Sequence, residues 1–210
     1  KEKWQKIIKH WAKTTIWHFS HICGGAVIGQ NCSLGQNVLV SDNAFLGNNV
    51  KVQNNVAIYG GVKVEDDVFL GPCCVLTNVT NPRSQVSRKS LYEKTFIKRG
   101  ATIGANSTLV CGITIGRYCF VGAGAVVTKD IVDYGLVLGN PGKLSGYMSR
   151  HGHKLKFDNG GRATCLESNF SYEIVDGQVR CLDLDEEKPL PDDLSIGSKA
   201  YDSFRISETD

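Results

Sequence analysis

The chain has 210 residues and a formal net charge of +3, enough for one domain with a substantial core plus a small appendage. So mild a charge, with no long basic run, argues against nucleic acid as a partner. No apolar stretch approaches the ~20 residues needed to span a bilayer, and residues 1–13 mix charges with tryptophans, unlike a secretory signal; a cytoplasmic protein without a membrane partner is expected.

Residues 1–13 place Trp4, Ile7, Ile8 and Trp11 at the i, i+3, i+4, i+7 spacing of an amphipathic helix. A capping helix is predicted there. From residue 14 to 140 a period of six takes over. Isoleucine, leucine or valine falls on Ile16, Ile22, Ile28, Leu34, Val40, Leu46, Val52, Ile58, Val64, Leu70 and Leu76, then again on Ile97, Ile103, Leu109, Ile115, Val121 and Val127. Two places before each beat sits a small or β-branched residue, as at Thr14, Ser20, Ala26, Cys32 and Val38, and glycine often follows the beat, as at Gly29, Gly35, Gly104 and Gly122. A helix of period 3.6 cannot keep a period of six on one face, and a flat sheet would show period two. Hexapeptide repeats of this kind build parallel β-helices whose coils stack around a shared core. The beat and minus-two residues should point inward, and the glycines should take corners that need unusual backbone angles.

Of eight cysteines, Cys32, Cys74 and Cys119 fall on inward positions, where free cysteine behaves as a small hydrophobe. Cys73 and Cys74 should face opposite ways. Reduced thiols are expected.

Leu76 and Ile97 are twenty-one residues apart, which is not a multiple of six. Residues 77–96 must therefore leave the coil as a loop, and long loops on a rigid scaffold usually carry function. This loop holds Arg83, Arg88 and Lys89, followed by Lys94, Lys98 and Arg99, against only Glu93. Such a cluster suits an anionic ligand, and a carboxylate suits a bidentate arginine. Beyond the repeats, residues 141–182 are predicted as a helix running through Met148 and then a hairpin around Asp176-Gly177. Residues 183–210, acidic at their start, are predicted to be a flexible tail.

Gly139-Asn140-Pro141-Gly142-Lys143 resembles the turn that closes many hexapeptide acetyltransferases, and Gly122-Ala123-Gly124-Ala125-Val126-Val127 resembles their coenzyme A-binding coil. The fold this implies is all-β: a left-handed parallel β-helix with one extruded loop and a small C-terminal helix and hairpin extension. Acetyl-CoA would be the co-substrate, with Gly104, Ala105, Gly122, Ala123, Asn140 and Pro141 along it. Lys129 and Lys143 would meet its phosphates as point charges.

A finer resemblance covers Thr15 to Phe157. Ile16-Trp17-His18-Phe19-Ser20-His21, Val52-Gln53-Asn54-Asn55-Val56, Thr77-Asn78-Val79-Thr80-Asn81-Pro82-Arg83, Arg88-Lys89-Ser90-Leu91-Tyr92 and Gly146-Tyr147-Met148-Ser149-Arg150-His151-Gly152 look like segments of bacterial nucleotide-sugar N-acetyltransferases. Those acting on UDP-linked 2-acetamido-3-amino-2,3-dideoxyglucuronate match best. The resemblance implies a homotrimer with sites at subunit interfaces, feeding surface-polysaccharide or lipopolysaccharide synthesis, and no metal. It puts Asn78 on the reacting groups and Gln36, Asn37, Gln53, Asn54, Asn55, Tyr59, Arg83, Arg88, Lys89 and Tyr92 around the acceptor. Stacking puts Gln36 over Asn54 and Asn37 over Asn55, where amides either stabilise the stack or read sugar hydroxyls. No histidine accompanies Asn78, so the departing thiolate is expected to take the amine's proton, with backbone amides near Gly104 holding the oxyanion. The alternatives are a dTDP-linked 3- or 4-amino deoxysugar as acceptor, or a non-catalytic scaffold. A zinc β-helix enzyme would need three converging histidines, and none occurs between His21 and His151.

Overall fold

A computed structural model of the chain describes residues 12–197 and 199–204. The capping helix expected over residues 1–13 falls almost wholly outside the described residues. The repeats form a three-faced parallel β-helix whose strands are mostly two residues long. On the first face Thr15–Ile16 pairs with Ser33–Leu34, then Lys51–Val52, Phe69–Leu70, Thr102–Ile103 and Phe120–Val121. The second face stacks His21–Ile22, Leu39–Val40, Ala57–Ile58, Val75–Leu76, Thr108–Leu109 and Val126–Val127. The third runs from Val27–Ile28 through Phe45–Leu46, Val62–Val64 and Thr95–Ile97 to Thr114–Ile115. Ladder partners are eighteen residues apart, as Thr15 and Ser33 are. The beat residues from Leu34 to Leu70 are at most 1% exposed and, with the minus-two residues, make one continuous apolar core. Each buried aliphatic side chain of this kind contributes about 1.5–3 kcal/mol.

The corners correct one expectation. The glycines after the beat do not carry positive φ; that work falls to residues three after the beat, Asn31, Asn37, Asn43, Asn49 and Asn55, at φ 54 to 62°. Asparagine tolerates this region better than other non-glycine residues. Glycine is required after the beat for another reason, namely the closeness of the next coil. A Cβ on Gly29 would lie 2.4 Å from the Gly47 carbonyl oxygen, and one on Gly104 would lie 2.5 Å from the Ala123 nitrogen.

All eight cysteines are free; Cys32, Cys74 and Cys119 are buried and Cys73 is exposed beside Cys74. Burial pushes the Cys74 thiol up to about 12. At the first coil the inward positions are polar. Thr14 and Ser20 accept from the backbone N–H of Cys32 and Val38 and donate to the carbonyls of Gly29 and Gly35, at 2.9 to 3.1 Å.

On the third face Val64 pairs with Ile97, thirty-three residues on, so the loop adds fifteen residues to one coil. It occupies residues 77–94, and the strand restarts at Thr95. The last coil is instead shortened by two, because Ile115 bridges to Ile131 and Val121 pairs with Val137, sixteen residues on in each case.

Two further expectations are overturned. The helix predicted to run through Met148 is a strand, Lys143–Met148, antiparallel to Gly135–Leu138, with Lys154–Leu155 beyond it. Gly135–Leu138 would otherwise end the sheet with unpaired backbone groups, and pairing them outweighs a weak helical spacing broken by Gly146. The hairpin does form, Ser171–Val175 against Gln178–Cys181, and it packs with Arg162–Thr164 around a second core containing Tyr134 and Tyr172. The acidic segment predicted to be flexible is anchored at its start. Tyr134 and Tyr118 donate to the Glu186 carboxylate and carbonyl respectively, Glu187 pairs with Arg117 at 2.5 Å, and Arg150 donates to the carbonyls of Asp185 and Lys188. Matched cations and buried hydroxyls hold a segment that composition alone would release.

Candidate active-site cleft

The loop leaves the corner after Val75–Leu76 and folds back beside the second face. Between them lies a cleft of about 680 Å³, lined by Tyr59 and Val75 from the coils and by Asn78, Pro82, Arg83, Val86, Arg88, Lys89 and Tyr92 from the loop. Among the residues predicted to serve acceptor chemistry, the cleft collects Asn78, Tyr59, Arg83, Arg88, Lys89 and Tyr92. Arg88 donates through Nε to the Asn81 carbonyl at 3.0 Å, and Arg83 through Nη1 to the Pro82 carbonyl at 3.1 Å. Neither arginine forms a salt bridge with a described carboxylate, so their charge remains for an anion in the cleft.

The loop is tied at its base. The Glu93 N–H donates to the Asn78 carbonyl at 3.0 Å, and the Glu93 carboxylate accepts from the Thr80 hydroxyl and from the Thr80 N–H at 3.3 Å. The buried Cys111 thiol lies 3.6 Å from that carboxylate, and the Cys111 N–H donates to the Thr77 hydroxyl at 2.9 Å. The Thr80 hydrogen bonds hold the Glu93 carboxyl below its usual range. Sequence reading missed this set; the loop's only acid was its one signal.

Gln36, Asn37, Gln53, Asn54 and Asn55 sit at the opposite edge of the second face and do not line the cleft. Asn54 Oδ1 accepts from the Gln36 N–H at 2.8 Å, and Asn37 Nδ2 donates to Asn55 Oδ1 at 3.0 Å. The corner before the first face repeats the motif: Gln30 N–H on Asn48 Oδ1 at 2.9 Å, and Asn48 N–H on Asp66 Oδ1 at 2.7 Å. A motif shared by two corners is first a stacking device. Arg99, grouped with the loop cations by sequence, closes that second ladder on Asp66 and Asp67 at 2.8 and 2.5 Å.

The second face also reaches the residues expected along the cofactor. Thr108 follows Val75 and Val126 follows Thr108, two strand spacings or roughly 10 Å. Gly104-Ala105 and Gly122-Ala123 stack at one edge of this stretch, and Lys129 stands at the other. The turn containing Asn140 and Pro141 closes over Val126, which accepts from the Gly142 N–H at 2.7 Å and donates to the Gly139 carbonyl at 3.1 Å. A smaller hollow beside it is lined by Thr128, Lys129, Gly142 and Leu144; Lys143, in the strand leaving the turn, is exposed. Of the backbone amides near Gly104 expected to hold the oxyanion, the Gly104 N–H donates to the Val121 carbonyl at 2.8 Å and the Asn106 N–H to the Pro72 carbonyl at 3.0 Å, so neither of these two is free for it. Stacking the coils consumes those donors.

Among the described residues no cluster of histidine, cysteine and acidic side chains has the arrangement of a metal site, and no helix is long and apolar enough to cross a membrane. His21 lies on the second face four strands before Thr108 in the ladder and is exposed.

Residues 43–78 and 94–129 match the bacterial transferase hexapeptide family (six repeats), and residues 25–59 match the hexapeptide repeat of succinyl-transferase. The chain is 48% identical over 89 residues to a dTDP-3-amino-3,6-dideoxy-alpha-D-galactopyranose 3-N-acetyltransferase of Aneurinibacillus thermoaerophilus, covering 42% of this chain and 45% of that protein. The match thus spans under half of that relative's length. Among solved structures, a perosamine N-acetyltransferase variant from Caulobacter crescentus, in complex with CoA and GDP-perosamine, superposes with a TM-score of 0.56 at 20% identity, over 65% of this chain and 58% of that one. The acetyltransferase domain of PglB from Neisseria gonorrhoeae gives 0.54 at 24%, over 62% and 57%. At these identities the likeness speaks for the fold.

Proposed function

We propose that this hexapeptide-repeat protein is an acetyl-CoA-dependent N-acetyltransferase acting on the 3-amino group of a nucleotide-linked sugar, with a UDP-linked amino uronic acid as acceptor. The observation that carries this reading is the cleft that gathers Asn78 with Arg83, Arg88 and Lys89 over the second face. Loop cations without carboxylate partners suit a diphosphate, and one arginine suits the uronate carboxylate in a bidentate pair. Acetyl-CoA would run along the second face past Gly104, Ala105, Gly122 and Ala123 to the Asn140-Pro141 turn, with Lys129 and Lys143 near its phosphates. Its thioester would then meet the acceptor over Val75 and Thr108. In the family this site forms between subunits of a homotrimer, and we adopt that assembly, in which a neighbour's coils complete each cleft. A dTDP-linked 3-amino deoxysugar is the second reading, favoured by the 48% identical relative.

The chemistry asks little of the protein. The neutral amine attacks the thioester carbonyl, a C–N bond forms, the C–S bond breaks, and the departing thiolate takes the amine's proton. A general base typically contributes ~10²–10⁴-fold, whereas positioning supplies effective molarities of ~10⁵–10⁸ M. Asn78 orients the amine or polarises the carbonyl, since its amide both donates and accepts. Replacing it tests the reading: Asn78→Ala should lower kcat on the UDP-amino uronate about 10²–10³-fold while the Kd for acetyl-CoA stays within about twofold. Undiminished turnover in this variant would remove Asn78 from the mechanism.

A further inference from the structure

We infer that Glu93 and Thr80 form a brace that positions Asn78, so that a carboxylate outside the cleft sets the geometry of the reacting groups; this rests on the Asn78 reading above. Asn78 lies between Thr77 and Thr80, and both flanking threonines are tied down. Thr77 is fixed by the N–H of Cys111, a buried residue of the next coil. Thr80 is fixed twice by the Glu93 carboxylate, through its hydroxyl and its N–H. Asn78 itself is held through its carbonyl by the Glu93 N–H at 3.0 Å. Glu93 therefore contacts the loop's departing limb from its returning limb, at Asn78 and just after it, while Cys111 holds the side before it.

The neighbouring coil leaves room for the carboxylate. Gly112 lies beneath it at φ +84°, and a Cβ there would come within 2.6 Å of Glu93 Oε2. The Cys111 thiol, 3.6 Å from Oε1, adds a weak third donor. The charge is thus spent on three donors around the base of the loop. Glu93 and Thr80 are absent from the cleft lining, so Glu93 acts through Asn78 and is a positioning residue. The residues beyond the brace, Arg83 to Tyr92, make one Arg83–Val86 bridge and one short 3₁₀ turn at Lys89–Leu91. With so little structure of their own, they inherit their placement from this base.

The test compares Glu93→Ala, Thr80→Val and Thr80→Ser in the full chain, with trypsin as one readout and kinetics as the other. Trypsin should cut after Arg83, Arg88 and Lys89 faster where the loop opens. Losing a charge-assisted hydrogen bond should raise that cleavage rate about tenfold in Glu93→Ala and Thr80→Val. Thr80→Ser, which keeps the hydroxyl, should stay near wild type. In the same two variants kcat should fall about tenfold or more, with the KM for acetyl-CoA within about twofold. Cleavage that is unchanged in both variants would overturn the brace. Faster cleavage with undiminished kcat would also overturn it, by reducing Glu93 to a loop anchor. Should wild-type protein acetylate no nucleotide sugar, the functional reading falls, and trypsin still decides whether the brace exists.

Discussion

A single side-chain oxygen ties two coils together at Asn54, where Oδ1 takes the Gln36 N–H. The same bond recurs from Gln30 to Asn48 and from Asn48 to Asp66, which argues that the amide is there for the stack. Asn54→Ala should cost about 1 kcal/mol in urea unfolding and leave the acceptor KM within about twofold. A tenfold rise in KM at unchanged stability would return the amide ladder to the acceptor site. Side-chain identity in the chain announced Asn78, Arg83, Arg88 and Lys89 as a group because they crowd one interruption of the repeat. It misled at Arg99, which follows those cations in sequence but faces Asp66 and Asp67 across a corner. It also misled at the glycines after the beat. Their role is the close approach of the next coil, a distance that no linear pattern records, while the asparagines that take positive φ stand two places further on.

The loop is the element on which the proposed function turns, and its base is held by a charge. Thr80 hydrogen bonds keep the Glu93 carboxyl below the usual value of 4.5, so the folded loop binds the deprotonated form. The stabilisation is therefore fully present above the ordinary carboxylate range and is lost as pH falls through the lowered folded value. Amide exchange at Glu93, corrected for the intrinsic rate, should show constant protection from about pH 7 to 5 and lose it only below about pH 4. Loss of protection already above pH 5 would mean that the carboxylate does not hold the loop. The loop's existence and start were legible from a gap of twenty-one in a period of six; its end, expected at residue 96, comes two residues earlier, because Thr95 and Phe96 already pair with Val62 and Lys63. Its closure was not, because Thr80, Glu93 and Cys111 meet only after one limb has returned. The strand Lys143–Met148 was illegible for a related reason: it pairs with an edge that exists only once the β-helix has been built.

At the scale of the molecule, the β-helix is a ruler. Eighteen residues make each coil, fifteen are added once for the loop, and two are removed once where the stack ends. The addition puts the cations and Asn78 at one level of the second face. The deletion brings the Gly139–Gly142 turn over Val126 two strands above. The segment holding Glu186 and Glu187 closes against the corner before the first face, where these residues engage Tyr118, Tyr134 and Arg117. Burial pushes the Tyr118 phenol up to about 12, and Tyr134 higher still, so both remain hydroxyl donors across the physiological range. Composition could not foresee this docking, since an acidic run reads as solvated until its arginines and tyrosines are placed. The most direct measurement is to incubate the protein with acetyl-CoA and a panel of UDP- and dTDP-linked amino sugars, reading products by mass. An acetyl gain on the UDP-linked 3-amino uronate is the predicted result. Gain on a dTDP-linked sugar alone would keep the chemistry and contradict the pairing of a loop arginine with a uronate carboxylate, and no gain on any acceptor together with no binding of coenzyme A would contradict the account as a whole.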